Sequence, residues 1–368
     1  MKEKDEDLLL ESLARVAPGT DLGLGIEYIL QAKTGALIVV SDSDAVLKLV
    51  DGGFYIGCSF SPAKFYELAK MDGAIVLNSN ADRILYANAH LFPNPQIRTS
   101  ETGTRHRTAE RFAKQTKSLV ISISQKRDVV TLFVHKIKYI LAEQRVVLSK
   151  ANQALQTLGK YKEGLDNLII NLTIRELEDL VTLFDVATLL QRSSIVQKTE
   201  KEVRRYITEL GTDGRLLKMQ VDDLMTNVEE DTVRVIRDYS KKDGKIKVES
   251  LIKKINDLND EELLELENIT SILGYKSENN LKELKVRSKG FRIISEIRRL
   301  PEKVIINLID KFGSLYNILN ASIEELSSVT GMGEVRAKTL FNRLKKYSEY
   351  YLYNEVYNTR MNNQGFKL

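Results

Sequence analysis

Thr102-Gly-Thr-Arg-His-Arg-Thr-Ala-Glu-Arg111 reads as a glycine turn opening into a helix, with Arg105, His106 and Arg107 set at its start. A helix start presents unpaired backbone N–H groups and a partial positive charge, so two guanidinium forks added there suit a polyphosphate far better than a lone carboxylate. The same three residues, taken without their neighbours, could equally be a solvated charge cluster. A cluster meant only for solubility has no need of the preceding Thr102-Gly103-Thr104, whereas a phosphate cradle does. Flanking cations would depress protonation of His106 and favour a donor role over that of a general base.

Working outward, short apolar runs alternate with helical patterns up to about Phe133: Ala36–Val40, Ala74–Leu77, Ile84–Ala87, Leu119–Ile123 and Val129–Phe133 read as strands. Ser61-Pro62 followed by Ala63–Lys70 reads as a helix with a hydroxyl N-cap and proline at its first position, running into the turn Asp72-Gly73. The expected first domain, residues 1–140, is therefore α/β with a central mixed sheet, and both polar motifs fall at helix or strand ends. Asp72-Gly73 alone is a common turn dipeptide. Preceding the strand that begins at Ala74, however, the Asp72 carboxylate would sit at the sheet's end, where open α/β sheets bind ligands and where one oxygen could reach a divalent metal. Ser124 and Arg127 follow another strand and could contribute to the same pocket.

Proline marks the next boundary: Pro18, Pro62, Pro93 and Pro95 lie in the first hundred residues, and the next is Pro301. From about Lys136 the apolar residues fall at helical spacing, as in Leu165, Leu168, Ile169 and Leu172, without a convincing strand. Residues 141–285 are thus expected to be an all-α linker, either a spacer or an oligomerisation surface, with a turn at Gly211–Gly214 and a charged loop at Lys241–Lys245. In the expected third domain, 286–368, Ser322-Ile-Glu-Glu325 is a capping box, and Gly331-Met-Gly333 joins its helix to one running through Leu344. That pattern is a helix-hairpin-helix. Gly331 and Gly333 would let the backbone approach a DNA phosphate, and Arg336 and Lys338 would add charge. An earlier copy spans Ile294–Ile309 with Arg299-Leu300-Pro301 as its hairpin; lacking the glycines, it suits packing better.

At 368 residues the chain is too long for a single core, and 43% hydrophobic residues with mean hydropathy of −0.24 indicate a soluble globular protein. No apolar run approaches the roughly 18 residues of a spanning helix, and the acidic start is unlike a signal peptide, so a cytoplasmic, non-membrane location is expected. Cys58 is the only cysteine, which excludes a disulfide framework and leaves it as a buried bystander. The net charge of +4 hides an asymmetry: residues 286–368 carry 14 Lys and Arg against 8 Asp and Glu. A polyanion partner for that end, or merely a solvated basic face, would account for it. There is no Gly-x4-Gly-Lys-Ser/Thr loop, no His-Glu-x2-His and no dinucleotide fingerprint. His90 and His135 carry no partner signature.

Ala69-Lys-Met-Asp-Gly-Ala-Ile75, Glu101–Glu110 and Ile121–Asp128 together resemble the diadenylate cyclase domain of the DNA integrity scanning protein family, and the order of cyclase, helical linker and C-terminal helices resembles it over the whole chain. The resemblance implies condensation of two ATP into cyclic di-AMP with release of two pyrophosphates, across cyclase domains that face each other, in a homo-octamer. It implies that Asp72 holds Mg²⁺ or Mn²⁺, that Gly73, Ala74 and Leu91 line the nucleotide pocket, and that Thr104, Arg105, His106, Arg107 and Thr108 bind phosphate. Within that run the arginines would neutralise the triphosphate and His106 would donate to an oxygen; Ser124 and Arg127 are assigned to the nucleotide. The C-terminal module would grip branched or damaged DNA through phosphates, placing the protein at the nucleoid. Two alternatives stay open at this stage, an ATP-sensing DNA-binding protein without cyclase activity and a non-catalytic oligomeric scaffold.

Overall fold

The computed structural model describes residues 3–241, 248–276, 280–297 and 300–364. The chain divides into two compact units, Met1–Leu155 with Glu202–Val221, and Gln156–Lys201 with Asp222–Leu368. The first contains α1 (Glu3–Val16), α2 (Asp21–Gln31), β1 (Ala36–Val40), α3 (Asp44–Leu47), β2 (Val50–Asp51), β3 (Phe54–Ser59), α4 (Pro62–Leu68), β4 (Ala74–Leu77), β5 (Arg83–Leu91), α5 (Thr104–Thr116), β6 (Leu119–Ser124), β7 (Val129–Val134) and β8 (Ile137–Ile140). The strands form one sheet in the order β2-β5-β4-β1-β6-β7-β8, with β3 also paired to β5. Strands β1 and β4 are parallel, and the other pairings are antiparallel, which makes the sheet mixed as expected.

Successive residues of the central strands face opposite layers. Leu37, Val39, Ala74, Val76, Val120 and Phe133 pack with Ala109, Phe112 and Ala113 of α5. Ile38, Val40, Ile75, Leu77, Ile121 and Ile123 pack on the other face with Leu13, Ile29 and Phe65 of α1, α2 and α4. Helices on both faces explain why these strands read as unbroken apolar runs rather than as alternating ones. At the start of α4 the Ser61 side chain accepts from Lys64 N, with Pro62 in the first turn, as the sequence predicts.

Three strands depart from expectation. The helical span was expected from about Lys136, yet Ile137–Ile140 is β8, in which Ile137 and Tyr139 turn inward while Lys138 and Ile140 are exposed. Four residues of alternation are too few to stand out against a helix that begins close behind. The pairing of β3 with β5 slips between Tyr55 and Cys58, which hides its pattern, and β2 is only two residues long. Cys58 lies on β3, free and half-buried rather than buried.

Two long helices follow, α6 (Gln144–Leu177) and α7 (Leu183–Leu210), then a 3-10 turn at Gly211–Gly214, α8 (Arg215–Leu224), α9 (Val228–Tyr239), α10 (Val248–Asn256), α11 (Asp260–Leu264) and α12 (Leu266–Ile272). Of the expected charged loop, only Lys241 is among the described residues. The chain ends with α13 (Phe291–Ser295), α14 (Glu302–Phe312), α15 (Leu315–Leu319), α16 (Ile323–Ser327) and α17 (Gly333–Gln364). Ile294, Val304, Ile305, Leu308 and Ile309 share one core with Leu326, Val329, Met332, Ala337 and Leu340, so the two helix pairs read from the sequence pack as one body. Arg299 of the earlier pair lies outside the described residues. Among the described residues no helix is long and apolar enough to cross a membrane.

In the second unit, Arg292 is buried against Glu176 and donates to Thr173 Oγ1 at 2.9 Å, and the Tyr239 hydroxyl donates to Glu176 Oε1 at 2.6 Å. Asp238, 1% exposed, accepts from Phe291 N at 2.6 Å and from Arg292 N at 3.0 Å. Burial, with the Glu176 carboxylate nearby, pushes the Asp238 carboxyl up to about 7.

Candidate active site

Helix α5 has 13 residues and spans about 20 Å, and the six residues of β6 cover about the same length. Lys117, left-handed at φ 59°, turns the chain between them, so the start of α5 returns to the Ser124 end of β6. The N-cap is Gly103, which offers no side chain to cap the helix and leaves the first-turn N–H groups free for an anion.

Strand register aligns the other candidates at that edge. Ala36 is opposite Ile123, Leu37 opposite Ala74, and Ala74 opposite Ala89. These pairings bring Gly35, which precedes β1, Gly73, which precedes β4, Leu91 at the end of β5 and Ser124 at the end of β6 to one edge of the sheet, with Asp72 one residue before Gly73. Adjacent positions in such a row are about 4.8 Å apart. The row runs along the amino ends of the parallel pair β1 and β4. At their carboxyl ends, where open parallel sheets usually bind ligands, Asp42 accepts from Ser79 N at 3.2 Å and from its hydroxyl, closing the gap.

Asp72 is exposed, and among the described residues it makes no hydrogen bond or ion pair. Gly73 has φ +90°, and a Cβ there would stand 2.8 Å from Asn88 C and 2.9 Å from Ala89 O. Glycine therefore allows the chain to pass close against β5 and turn the preceding carboxylate to the edge. Ala74 is fully buried on β4, and Leu91 is half-buried at the end of β5. Thr104 and Arg107 are exposed on α5, and Thr108 is half-buried. Half-buried Arg105 lies against Gly35, which ties the helix start to the row of strand ends. Ser124 ends β6, and Arg127 is exposed in the following turn.

His106 stands edge-on to Phe133, with ring centroids 6.4 Å apart. Burial is the main force holding its protonation below the usual imidazole range; Glu101 opposes this, and Arg105, Lys138 and Arg127 reinforce it. The expected lowering by cations is thus present but secondary to desolvation. Glu101 and Lys138 form an ion pair beside this histidine. Sequence reasoning assigned no role to Gly35, Glu101 or Lys138. Glu101 sits in the quoted motif, whereas Gly35 and Lys138 join the site only through strand register.

Among the described residues no group of three or more His, Cys, Asp or Glu could enclose a metal. A single exposed carboxylate fits an ion whose remaining ligands are substrate phosphates and water, the usual Mg²⁺ arrangement. Clefts of about 630 and 500 Å³ in the second unit are lined by none of these residues.

At the C-terminal candidate, the capping box is present: Ser322 Oγ accepts from Glu325 N, and Glu325 accepts from Ser322 N at 2.8 Å. Gly331 and Gly333 have φ of +86° and +63°, and nothing lies within 4 Å of a Cβ built on Gly333, so that face is open. Arg336 donates back to Gly331 O at 2.7 Å, bracing the turn. Lys338 is exposed and makes no hydrogen bond or ion pair among the described residues.

The family described as "DisA bacterial checkpoint controller nucleotide-binding" matches residues 24–137, and "DisA bacterial checkpoint controller linker region" matches 141–282. The DNA integrity scanning protein DisA of Acetivibrio thermocellus is 49% identical over 95% of this chain and 97% of its own length. That of Carboxydothermus hydrogenoformans is 50% identical over 94% of this chain and 98% of its own, and that of Clostridium botulinum 48% identical over 96% and 99%.

Proposed function

The chain belongs to the DisA family and carries that family's cyclase domain, and from that premise we propose that it joins two ATP into cyclic di-3′,5′-adenosine monophosphate under the influence of bound DNA. The observation that carries this reading is the row of Asp72, Gly35 and Ser124 lying at the amino end of α5, with Arg105 seated on Gly35. One exposed carboxylate, the Arg105 guanidinium and free N–H donors lie at this edge, with Arg107 exposed in the same first turn of α5. Such a set can hold and neutralise a triphosphate but contains no covalent nucleophile. Phosphoryl transfer asks for just that, since positioning and charge neutralisation do most of the work.

One such edge binds one ATP, so two chains must face each other. Each ribose 3′-oxygen then forms a bond to the α-phosphorus of the opposite nucleotide, the bond to pyrophosphate breaks, and the hydroxyl proton leaves. Arg105 and Arg107 neutralise the triphosphate and the departing pyrophosphate, while Thr104, Thr108 and the first-turn N–H groups fix the phosphates. His106, kept neutral by burial, donates one hydrogen bond. Gly73, Ala74, Leu91, Ser124 and Arg127 border the nucleotide. Asp72 would hold Mg²⁺ or Mn²⁺, which supplies charge neutralisation and acidifies the ribose hydroxyl when bound. An even-numbered assembly, an octamer in this reading, satisfies the facing requirement. The Gly331–Gly333 turn, Arg336 and Lys338 form a helix-hairpin-helix contact to phosphates of branched or damaged DNA, which places the protein in the cytoplasm at the nucleoid. The parts correspond to residues 1–140, 141–285 and 286–368.

Incubating the full-length protein with ATP and Mn²⁺, with and without a four-way DNA junction, and separating the nucleotides by chromatography tests this. Cyclic dinucleotide and pyrophosphate should appear, at a rate that the junction changes. Bound but unconverted ATP would instead leave an ATP sensor.

A further inference from the structure

Residues 94–101 lie along α5 as a strap, held turn by turn to one face of the helix. Asn94 N donates to Gln115 Oε1 at 2.8 Å, Arg111 Nε to Ile97 O at 2.9 Å, Lys114 Nζ to Arg98 O at 2.9 Å, and Ser100 N to Glu110 Oε2 at 3.1 Å. The Thr99 hydroxyl donates to Glu110 Oε2 while accepting from Glu101 N at 3.1 Å. The sheet-facing side of α5 is apolar, with Ala109, Phe112 and Ala113 in its core.

Glu110 is 7% exposed, an unusual place for a carboxylate, and burying one costs heavily unless its oxygens are engaged. They are: besides Thr99 and Ser100, Lys114 Nζ donates to Oε1 at 2.7 Å. Two of its three partners belong to the strap, and the third, Lys114, also holds the strap at Arg98 O. The strap leads directly into the phosphate turn. It delivers Glu101, whose carboxylate pairs with Lys138 and stabilises charge on His106, and then Gly103, whose missing side chain cannot fix the helix start.

We propose that Glu110 is a positioning residue for the phosphate-binding turn: through Thr99 and Ser100 it locks the strap that sets Glu101 and Gly103, so that the first-turn donors of α5 are in place before ATP arrives. This rests on the cyclase reading above. The cost of ordering the turn is met during folding rather than at substrate binding, so losing the lock weakens ATP binding more than it slows the chemical step.

The test compares full-length wild type, Thr99→Ser, Thr99→Val and Glu110→Gln by steady-state formation of cyclic dinucleotide, with melting curves alongside. Thr99→Val keeps the shape of a half-buried side chain and so leaves the fold intact. Both Thr99→Val and Glu110→Gln should raise KM for ATP about tenfold, the scale of one charge-assisted hydrogen bond, with kcat within about threefold of wild type. Thr99→Ser, which keeps the hydroxyl, should restore wild-type KM. An unchanged KM in a folded Thr99→Val protein overturns the proposal, as does a Thr99→Ser protein as impaired as Thr99→Val. Loss of melting temperature without a change in KM also overturns it, because Glu110 would then serve the fold alone. If wild type makes no dinucleotide, the cyclase reading fails first.

Discussion

Arg105 rests on Gly35: a Cβ at residue 35 would overlap the Nη1 end of its guanidinium and would stand 3.1 Å from Ile123 O. The glycine therefore serves as the seat of a substrate-binding cation. Gly35→Ala should dislodge the guanidinium without disturbing the core, because the arginine end can move and the carbonyl contact is merely tight. We expect kcat/KM for ATP to fall roughly tenfold to a hundredfold, less than or equal to the effect of removing a transition-state donor outright. Melting temperature should hold within a few degrees. Unchanged kinetics would show that Arg105 acts elsewhere.

Asp72 is exposed, and Asn is nearly its isostere, so Asp72→Asn should fold and melt like wild type. Removal of its charge takes away the one carboxylate that, among the described residues, the row of strand ends offers a cation. Turnover should drop by two orders of magnitude or more, about 3 kcal/mol of barrier. Retention of ATP binding, measured by calorimetry, would separate lost chemistry from lost folding. A normally active variant contradicts the assignment.

Burial holds His106 below its usual protonation range, and Glu101 opposes that effect. The native protein therefore favours the neutral ring, while the unfolded chain takes up a proton near pH 6.5. Stability from this residue is full above that pH and declines as pH falls through it. In the folded protein the imidazole should titrate below pH 6.5 by NMR, and any acid limb of kcat/KM that depends on it should lie there too. Glu101→Gln removes the opposing charge and should move that titration lower still. A shift upward would mean that Glu101 acts on His106 chiefly through Lys138.

Much of the cyclase fold was legible because helices cover both faces of β1, β4, β6 and β7, which makes each an apolar run with sharp ends. Strand β8 was missed because a four-residue alternation leads almost directly into a helix, and β3 because Gly57 and a slipped register break its period. The phosphate turn was readable because its cations and glycine are contiguous. Gly35 and Lys138 were not, since each is an ordinary residue beside or within a strand and gains meaning only when pairing brings it to the row or to His106. The strap was also hidden: Glu110 looks like any helical acid until its burial is known.

Lys338 is exposed on α17, the helix that begins at the open Gly333 backbone, and makes no hydrogen bond or ion pair among the described residues. If it neutralises one DNA phosphate, Lys338→Ala should weaken junction binding regardless of sequence. It should also make the slope of log K against log salt shallower by about 0.9. Arg336 braces the turn through Gly331 O, so Arg336→Ala should weaken binding more than its single charge predicts. Fluorescence anisotropy across salt concentrations reads both. An unchanged slope for Lys338→Ala removes that residue from the interface.

Asp238 and Glu176 are two buried carboxylates served by one guanidinium, that of Arg292. Glu176 takes the guanidinium and the Tyr239 hydroxyl, leaving Asp238 with the backbone N–H groups of Phe291 and Arg292. Of two such acids, the one without the cation holds the proton, and Asp238 is accordingly pushed up to about 7, from about 4 in an unfolded chain. Between those values the native state binds a proton that the unfolded state releases, so stability of the second unit should fall as pH rises from 4 to 7 and then level off. Asp238→Asn carries no ionisable group and should abolish that slope. Its single oxygen can serve only one of the two N–H groups, so at pH 5 it should be less stable than wild type by about 1–3 kcal/mol. By pH 8 the wild type carries a buried charge and the difference should narrow or reverse. Thermal melts of the two full-length proteins from pH 5 to 8 decide it: parallel curves would mean that Asp238 stays ionised throughout, held by the start of α13.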